Sequence, residues 1–443
     1  MIIRPARRIR GRLRLPGDKS ISHRAAIIAA LARGSSLLTN FSTSEDCAST
    51  LACLSQLGVS IEREGNTVRV EGVGVNGLRA PAAPLDCGNS GSTMRMLAGV
   101  LAGQNFASQL TGDDSLRSRP MNRIIVPLEL MGANISASDG HAPLQINGQV
   151  SLEPIRYEMP VSSAQVKSCI LLAGLNARGR TVVIEKYATR DHTERMLREF
   201  GVSVETTRER NDGLANEAEA NIVTLDGPAR FDARDINIPG DLSSATFFLA
   251  AAAMLKGSSL DLEALCLNST RAEILRTLRA LGADVHVSEP RDEGHELIGD
   301  VHINGGAQLS PLAAHANDLR GALIPQLIDE LPMLAVLGTQ IAGGLTIREA
   351  GELRFKETDR IAATVANLRA MGAQVEEYED GLSVAGATRL HGAKLDARGD
   401  HRIAMAFTIA ALIADSDSEI VGAECAAVSF PEFFQLLESV IKR

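Results

Sequence analysis

The sequence predicts an α/β protein built from a repeated unit in two similar halves, and three observations carry that prediction. Six times a short polar, charge-bearing stretch opens directly into a long apolar run, at Pro16, Asn89, Ser162, Asp241, Asp329 and Asp400. The openings recur roughly every 70–90 residues, a spacing that points to internal repetition. A bulky apolar residue followed by Gly and then Val or Ala keeps step with them, at Leu57-Gly58-Val59, Met131-Gly132-Ala133, Phe200-Gly201-Val202, Leu281-Gly282-Ala283 and Met371-Gly372-Ala373. Finally, Pro16-Gly17-Asp18-Lys19-Ser20 is echoed by Pro239-Gly240-Asp241-Leu242-Ser243.

The elements follow in order from these signals. Arg8 to Leu15 alternates in part, as a half-exposed strand does, which weighs against reading the Arg-rich N-terminus as a transit segment. Next comes Pro16 to Arg24 and the run AAIIAALA, a buried helix starting near Ser20. Each Gly marker closes a helical pattern and begins an alternating segment such as VSIEREGNTVRVEG, as a helix C-cap before a strand would. The unit therefore reads as buried helix, strand, second helix capped by Gly, and a short strand pair. Two similar halves imply two similar domains with boundaries near residues 15 and 237. The polar segments 205–221 and 288–299 read as hairpin tips.

Composition sets the bounds on function. The chain has 443 residues, 45% of them hydrophobic and 22% charged, enough for two domains with real cores. A net charge of −9, 3% aromatic residues and no Trp argue against a nucleic-acid binder. The longest apolar run, Ala245 to Leu255, is too short to span a bilayer. The six cysteines, at 47, 53, 87, 169, 266 and 425, form no CxxC pair. They predict reduced, mostly buried thiols of a cytosolic protein rather than a zinc site or redox pair. Neither metal nor cofactor is expected.

Helix N-termini present free backbone N–H groups and partial positive charge, so they hold anions. Several openings add cations: Lys19 and Arg24, Lys167, and Arg402. Together they predict a small substrate carrying several negative charges. Ser20 and Arg24, four apart, share one helix face beside Lys19 and His23. In Glu352 to Arg360, Glu357 and Arg360 are three apart and Lys356 and Arg360 four apart. A salt-bridged surface turn would look similar. The charges of Asp400-His401-Arg402 run straight into a core helix, which solubility does not explain. Gly72 to Gly77 matches GxGxxG, but LRAPAAP follows instead of the helix a dinucleotide site needs.

These residues together resemble the EPSP synthase family. The resemblance runs essentially end to end through Gly-Asp-Lys-Ser at 17–20, Asn-Ser-Gly-Ser at 89–92, Arg119-Pro120-Met121, Ser163-Ala164-Gln165-Val166-Lys167, Arg190-Asp191-His192-Thr193-Glu194, Asn268-Ser269-Thr270-Arg271, Lys356-Glu357-Thr358-Asp359-Arg360 and Asp400-His401-Arg402. The Ser-Ala-Gln-x-Lys, Arg-x-His-x-Glu and Asn-x-Thr-Arg forms look like the glyphosate-tolerant bacterial class II. The resemblance implies an enolpyruvyl transferase-like fold: two domains, each of three βαβαββ units around buried parallel helices. One domain would be 1–15 plus 238–443 and the other 16–237, with the active site in a closing cleft between them.

The implied reaction transfers the enolpyruvyl group of phosphoenolpyruvate to the 5-hydroxyl of shikimate 3-phosphate, by addition and elimination through a tetrahedral ketal phosphate. By motif, Lys19 would contact both substrates. Ser20, Arg24, Ser163, Gln165, Arg190, Asp329 and Lys356 would serve shikimate 3-phosphate. Gly91, Arg119, Gln165, Arg360 and Arg402 would serve phosphoenolpyruvate. Asp329 would take the 5-hydroxyl proton, and Glu357, supported by Lys356, would serve the methylene carbon. The partners would be those two small molecules, with no nucleic acid or membrane, and the enzyme a cytoplasmic monomer.

Two departures stand out. Many relatives place a Lys before a Ser/Thr-Phe-Pro near the C-terminus, where this chain has Val428. Tolerant relatives often carry Ala at the position of Gly91 and sensitive ones Pro at that of Met96, so intermediate glyphosate sensitivity is expected. The runner-up is UDP-N-acetylglucosamine enolpyruvyl transferase. Its mobile loop usually bears Cys or Asp against phosphoenolpyruvate, whereas Gly112 to Arg119 has no Cys.

Overall fold

The polar openings become helix N-caps. In the computed structural model, which describes residues 1–149, 151–210, 219–288, 290–293 and 296–443, six central helices span Lys19–Leu31, Gly91–Ala102, Ala164–Gly174, Leu242–Met254, Leu331–Gly338 and His401–Leu412. Asp18, Ser90, Ser163, Asp241 and Asp400 each accept from backbone N–H groups of the first turn. Such a cap contributes about 1 kcal/mol. The fifth helix has no side-chain cap, but Pro332 in its first turn removes one N–H that would need a partner. From Ile21 to Leu31, and from His401 to Leu412, every residue is buried. This explains why the central helices read as unbroken apolar runs rather than as amphipathic stripes.

The chain divides into two units, one of residues 17–238 with 293–296, the other of 1–16, 239–292 and 297–443. In the first, three four-stranded sheets share one strand order. The strands Ile236–Asn237, Arg33–Thr39, Thr67–Val73 and Ser60–Glu64 lie side by side, the first pair parallel and the others antiparallel. Leu85–Asp86, Ala107–Thr111, His141–Asn147 and Asn134–Ser138 repeat the pattern, as do Arg156–Glu158, Gly179–Glu185, Glu219–Gly227 and Val204–Arg210. Gly91–Ala102 packs against both other central helices of its unit. A Cβ on Gly99 would stand 2.2 Å from the Cys169 carbonyl oxygen, so this close approach requires glycine.

The second unit repeats the order with Arg8–Arg14, Ser259–Cys266, Glu296–Asn304 and Asp284–Val287, and again with Asp318–Leu319, Leu345–Ile347, Gly381–Val384 and Val375–Tyr378. Its third sheet is shortened to Lys394–Asp396, Ser418–Val421 and Ile2–Ile3. There the chain leaves through a 3-10 turn, Ala423–Val428, and the helix Phe433–Val440, with no terminal hairpin. That is why the sixth repeat lacks the Gly marker. The other five glycines sit at φ +89°, +91°, +85°, +89° and +88°, the left-handed conformation of a helix C-cap. Val59 N–H, for example, reaches back to the Leu54 carbonyl at 3.1 Å.

The Arg-rich segment is a strand with Ile9 and Leu13 buried and its four arginines exposed. Its partner in the fold is remote: Arg10 pairs with Ser259 and Arg14 with Glu263. The two Pro-Gly-Asp motifs mark where the chain passes from one unit to the other. Gly17 is required because a Cβ would lie 1.8 Å from the Asn40 carbonyl oxygen, and Asp241 N–H donates to the Pro16 carbonyl at 3.1 Å.

Of the two polar segments, residues 211–218, 289 and 294–295 lie outside the described residues; the flanking 204–210 and 219–227 form an antiparallel pair. The GxGxxG stretch ends a strand and runs into a turn, with no helix before Gly91. All six cysteines are free, five of them buried. Among the described residues no helix is long and apolar enough to cross a membrane.

Candidate active site: a charged cluster in each unit

In the unit of residues 17–238, cations gather at helix starts. Lys19 Nζ lies 2.7 Å from Asp46 Oδ2, with both side chains largely buried. Ser20 follows, and its hydroxyl accepts from Arg190 Nη1 at 3.5 Å. Arg24 lies beneath them, buried, donating to the Ser20 carbonyl at 2.9 Å, Ser168 Oγ at 2.8 Å and Thr193 Oγ1 at 2.7 Å. Burial lowers its pKa to about 10, so it remains a cation at neutral pH. Arg24 thus acts from below on the Ser20 backbone rather than from the surface. Buried His23 is held well below the usual imidazole range, first by desolvation and then by Lys19 and Arg24. Its Nδ1 begins a chain of bonds through Thr50 Oγ1, Thr93 Oγ1 and Ser90 Oγ, each step 2.7 Å. That chain ties the first helix start to the second.

At the second start, Arg119 donates to Asn89 Oδ1 at 2.7 Å and Ser115 Oγ at 3.2 Å. Arg95 donates to Gln165 Oε1 at 2.5 Å, and Gln165 donates to Ser92 Oγ at 2.9 Å. Both guanidiniums flank Gly91, since a Cβ there would stand 2.8 Å from Arg95 Nη1 and 3.5 Å from Arg119 Nη1. A helix N-terminus with two guanidiniums across a bare backbone can receive a planar anion. Ser163 caps the third helix and is half-buried.

Lys167 departs from its expected place among the anion-binding cations. It is fully buried between Glu185 at 2.9 Å and Glu194 at 2.7 Å. Although burial opposes its charge, the two carboxylates outweigh that and raise its pKa. One turn into the helix, the side chain points to the core, where its charge is already balanced.

The second cluster lies in the other unit. Arg360, the first residue of a helix and 2% exposed, is bound by three carboxylates: Asp400 at 2.8 Å, Glu357 at 2.5 Å and Asp329 at 3.5 Å. Burial works against its charge, but the carboxylates, Asp400 foremost, raise its pKa. Asp400 also caps the sixth central helix, so it fixes Arg360 to that helix start. Lys356 Nζ stands 3.9 Å from Asp329 Oδ1, and desolvation lowers its pKa. Arg402 stands apart from this group, its guanidinium 5.9 Å over the Phe247 ring and 4.0 Å from Glu330 Oε1. Val428 ends the 3-10 turn and offers no charge.

The expected residues thus fall into two groups, Lys19, Ser20, Arg24, Gly91, Arg119, Ser163, Gln165 and Arg190 in one unit, and Asp329, Lys356, Glu357, Arg360 and Arg402 in the other. Sequence reasoning missed Asp46 and Arg95, and placed Asn89 only as a helix-start opening without its bond to Arg119. Arg95, four after Gly91, was detectable from helical spacing. Asp46 sits 27 residues from Lys19 on another helix, with no local signal.

Comparison with known proteins gives the fold and the family. A crystal structure of the enolpyruvyl transferase NikO from Streptomyces tendae shares the fold, with TM-score 0.76 over 100% of this chain and 97% of that one, at 18% identity. The architecture is that of the enolpyruvyl transferases. The EPSP synthase (3-phosphoshikimate 1-carboxyvinyltransferase) family model matches residues 3–437, and the chain belongs to that family. A 3-phosphoshikimate 1-carboxyvinyltransferase of Koribacter versatilis is 48% identical over 100% of this chain and 99% of its own. One of Solibacter usitatus is 47% identical over 99% of each. The EPSP synthase structure from Acinetobacter baumannii gives TM-score 0.84 at 39% identity over 99% of this chain and 98% of that one.

Proposed function

We propose that the two clusters act on one pair of substrates in the reaction of the family, enolpyruvyl transfer from phosphoenolpyruvate to the 5-hydroxyl of shikimate 3-phosphate. The observation that carries this reading is the division of labour. The first cluster supplies cations and helix starts for anions. The second sets Asp329 and Glu357 against Arg360, placing proton-transfer groups beside a cation. Holding anions alone gains nothing from carboxylates among the ligands.

In this reading Lys19, Ser20, Gln165, Ser163 and Arg190 bind shikimate 3-phosphate, with Arg24 stiffening the Ser20 backbone from beneath. Arg119, Arg360 and Arg402 bind phosphoenolpyruvate, its pocket lined by Gly91. The 5-hydroxyl oxygen attacks C2 of phosphoenolpyruvate while Asp329 takes its proton and the methylene carbon gains one from Glu357. The tetrahedral ketal phosphate then expels phosphate as Glu357 removes a proton from the new methyl group, which restores the double bond and forms the enol ether of the product. Lys356, with its lowered pKa, supports Glu357. Fixed cations stabilise the charge that develops on phosphate and carboxylate without reorganising.

The reading has the enzyme work as a cytoplasmic monomer with its active site between the two units, and it calls for neither metal nor cofactor. Free, mostly buried cysteines support an intracellular setting. The test is phosphate release from phosphoenolpyruvate with shikimate 3-phosphate and, separately, with UDP-N-acetylglucosamine as acceptor. Release with the first acceptor alone is expected. Release only with the second, or with neither, overturns the reading.

A further inference from the structure

Behind Asp329 lies a buried network that the reaction as described does not use. Arg271, Ser243 and Glu330 are each at most a few per cent exposed. Glu330 Oε1 accepts from Ser243 Oγ through a short bond and from Arg271 Nη1 at 3.2 Å. Arg271 Nη2 also donates to Ser243 Oγ and reaches Asp241 Oδ1 at 3.4 Å. Ser243 belongs to the second Pro-Gly-Asp-x-Ser motif, at the N-terminus of the helix Leu242–Met254. In the first copy that helix start carries Lys19 and Ser20. In the second, the chain's own carboxylate fills the place of an anion, at the same kind of helix start.

Two features connect this network to chemistry. Glu330 is bonded along the chain to Asp329, which faces Arg360 and Lys356. Glu330 Oε1 is also the carboxylate oxygen nearest Arg402, at 4.0 Å, while Oε2 is buried without a hydrogen-bond partner among the described residues. The Arg402 guanidinium has no closer carboxylate among the described residues, and it lies over the face of Phe247. We propose that Glu330 is a positioning residue for the phosphoenolpyruvate end of the site: anchored by Arg271 and Ser243, its carboxylate aims Arg402 at the substrate anion. A weak, long ion pair suits the task. It orients Arg402 against the Phe247 ring without tying up the N–H groups that substrate must receive.

This inference rests on the enolpyruvyl-transfer reading, and the experiment separates the two. Full steady-state kinetics are measured for the unaltered enzyme, Glu330→Gln, Glu330→Asp, Arg402→Ala and Glu330→Gln/Arg402→Ala, with thermal unfolding of each. Inactivity of the unaltered enzyme refutes the reading itself. If the enzyme is active, Glu330→Gln should raise KM for phosphoenolpyruvate about tenfold, one charge-assisted contact, and leave KM for shikimate 3-phosphate within about twofold. Glu330→Asp keeps the charge and the fold but draws the carboxylate back by one methylene, so a smaller rise of the same selectivity is expected. In the Arg402→Ala background Glu330→Gln should add little, because the two act through one contact. A purely structural role would instead lower the unfolding temperature and move both KM values alike, or add its full effect in the Arg402→Ala background. Either result overturns the proposal, as does an unchanged KM for phosphoenolpyruvate in both folded Glu330 variants.

Discussion

Replacing Lys167 with Met isolates a buried charge whose worth can be worked out from its surroundings. Lys167 and Glu185 are 0% exposed and Glu194 1%, so solvent screens none of the three. Glu185 keeps other donors, Asn221 Nδ2 at 2.7 Å and the hydroxyl and N–H of Thr189. Glu194 has no comparable support and loses its cation. Breaking a buried pair by removing one partner costs about 3–5 kcal/mol. For a unit of this size each kcal/mol lowers Tm by about 2–4 °C, so a fall of about 6–20 °C is expected in calorimetry.

The pH dependence gives a second reading of the same variant. Burial already raises Glu194 above the usual carboxyl range, with Lys167 pulling it back. Without Lys167 the rise grows. A carboxyl whose folded pKa exceeds its unfolded one binds more protons when folded, so its stability is full below the unfolded value and falls as pH rises through the folded one. The deficit of Lys167→Met should therefore be smaller at about pH 5 than at about pH 8, and Glu194→Gln in the same background should recover part of it. A Tm fall under about 2 °C, less than a kcal/mol at this size, would refute the argument that the triad is buried and structural.

Three further outcomes are expected. Glu357→Gln should lose about 10²–10⁴-fold in turnover, the worth of one proton-transfer group, while equilibrium binding of shikimate 3-phosphate survives; an active variant would remove Glu357 from the mechanism. In Gly91→Ala the new methyl, 2.8 Å from Arg95 Nη1, must push that guanidinium and its Gln165 partner aside. Inhibition assays should show the constant for glyphosate rising far more than KM for phosphoenolpyruvate, and equal rises would count against the pocket. Shikimate 3-phosphate should compact the protein in small-angle scattering, because its proposed ligands Lys19 and Asp329 belong to different units; identical profiles at saturation would contradict closure.

The repeat was legible because it rests on local chemistry. Capping residues, apolar runs and left-handed glycines at positions such as Gly58 and Gly372 act within a few residues of themselves. The pairing of Arg8–Arg14 with Ser259–Cys266 was not legible locally, because nothing nearby encodes that distance, and only the resemblance implied that 1–15 joins 238–443. The same division holds at the site. Glu357 and Arg360 announce their pairing by lying three residues apart across a helix start, whereas Lys19 with Asp46 and Arg360 with Asp400 join separate helices. Lys167 was misplaced for a related reason. Its sequence context matches that of a helix-start cation, and only the two glutamates folded around it show that its charge is spent inside.

The pairing of the N-terminal strand also sets an order of events at the ribosome. Ile9 N–H donates to Ser258 Oγ, 249 residues further on. At about 5–20 residues per second that partner emerges roughly 12–50 s later. By then the unit of residues 17–238 has all but its short 293–296 segment in hand, including the strand Ile236–Asn237 that completes its first sheet. The inserted half can be finished while the half that encloses it in sequence has hardly begun. Throughout that interval Arg8–Arg14 waits as an unpaired edge, with Ile9 and Leu13 unburied. Its four arginines, which repel one another and any second copy of the strand, are well suited to keeping that edge from pairing with the wrong chain.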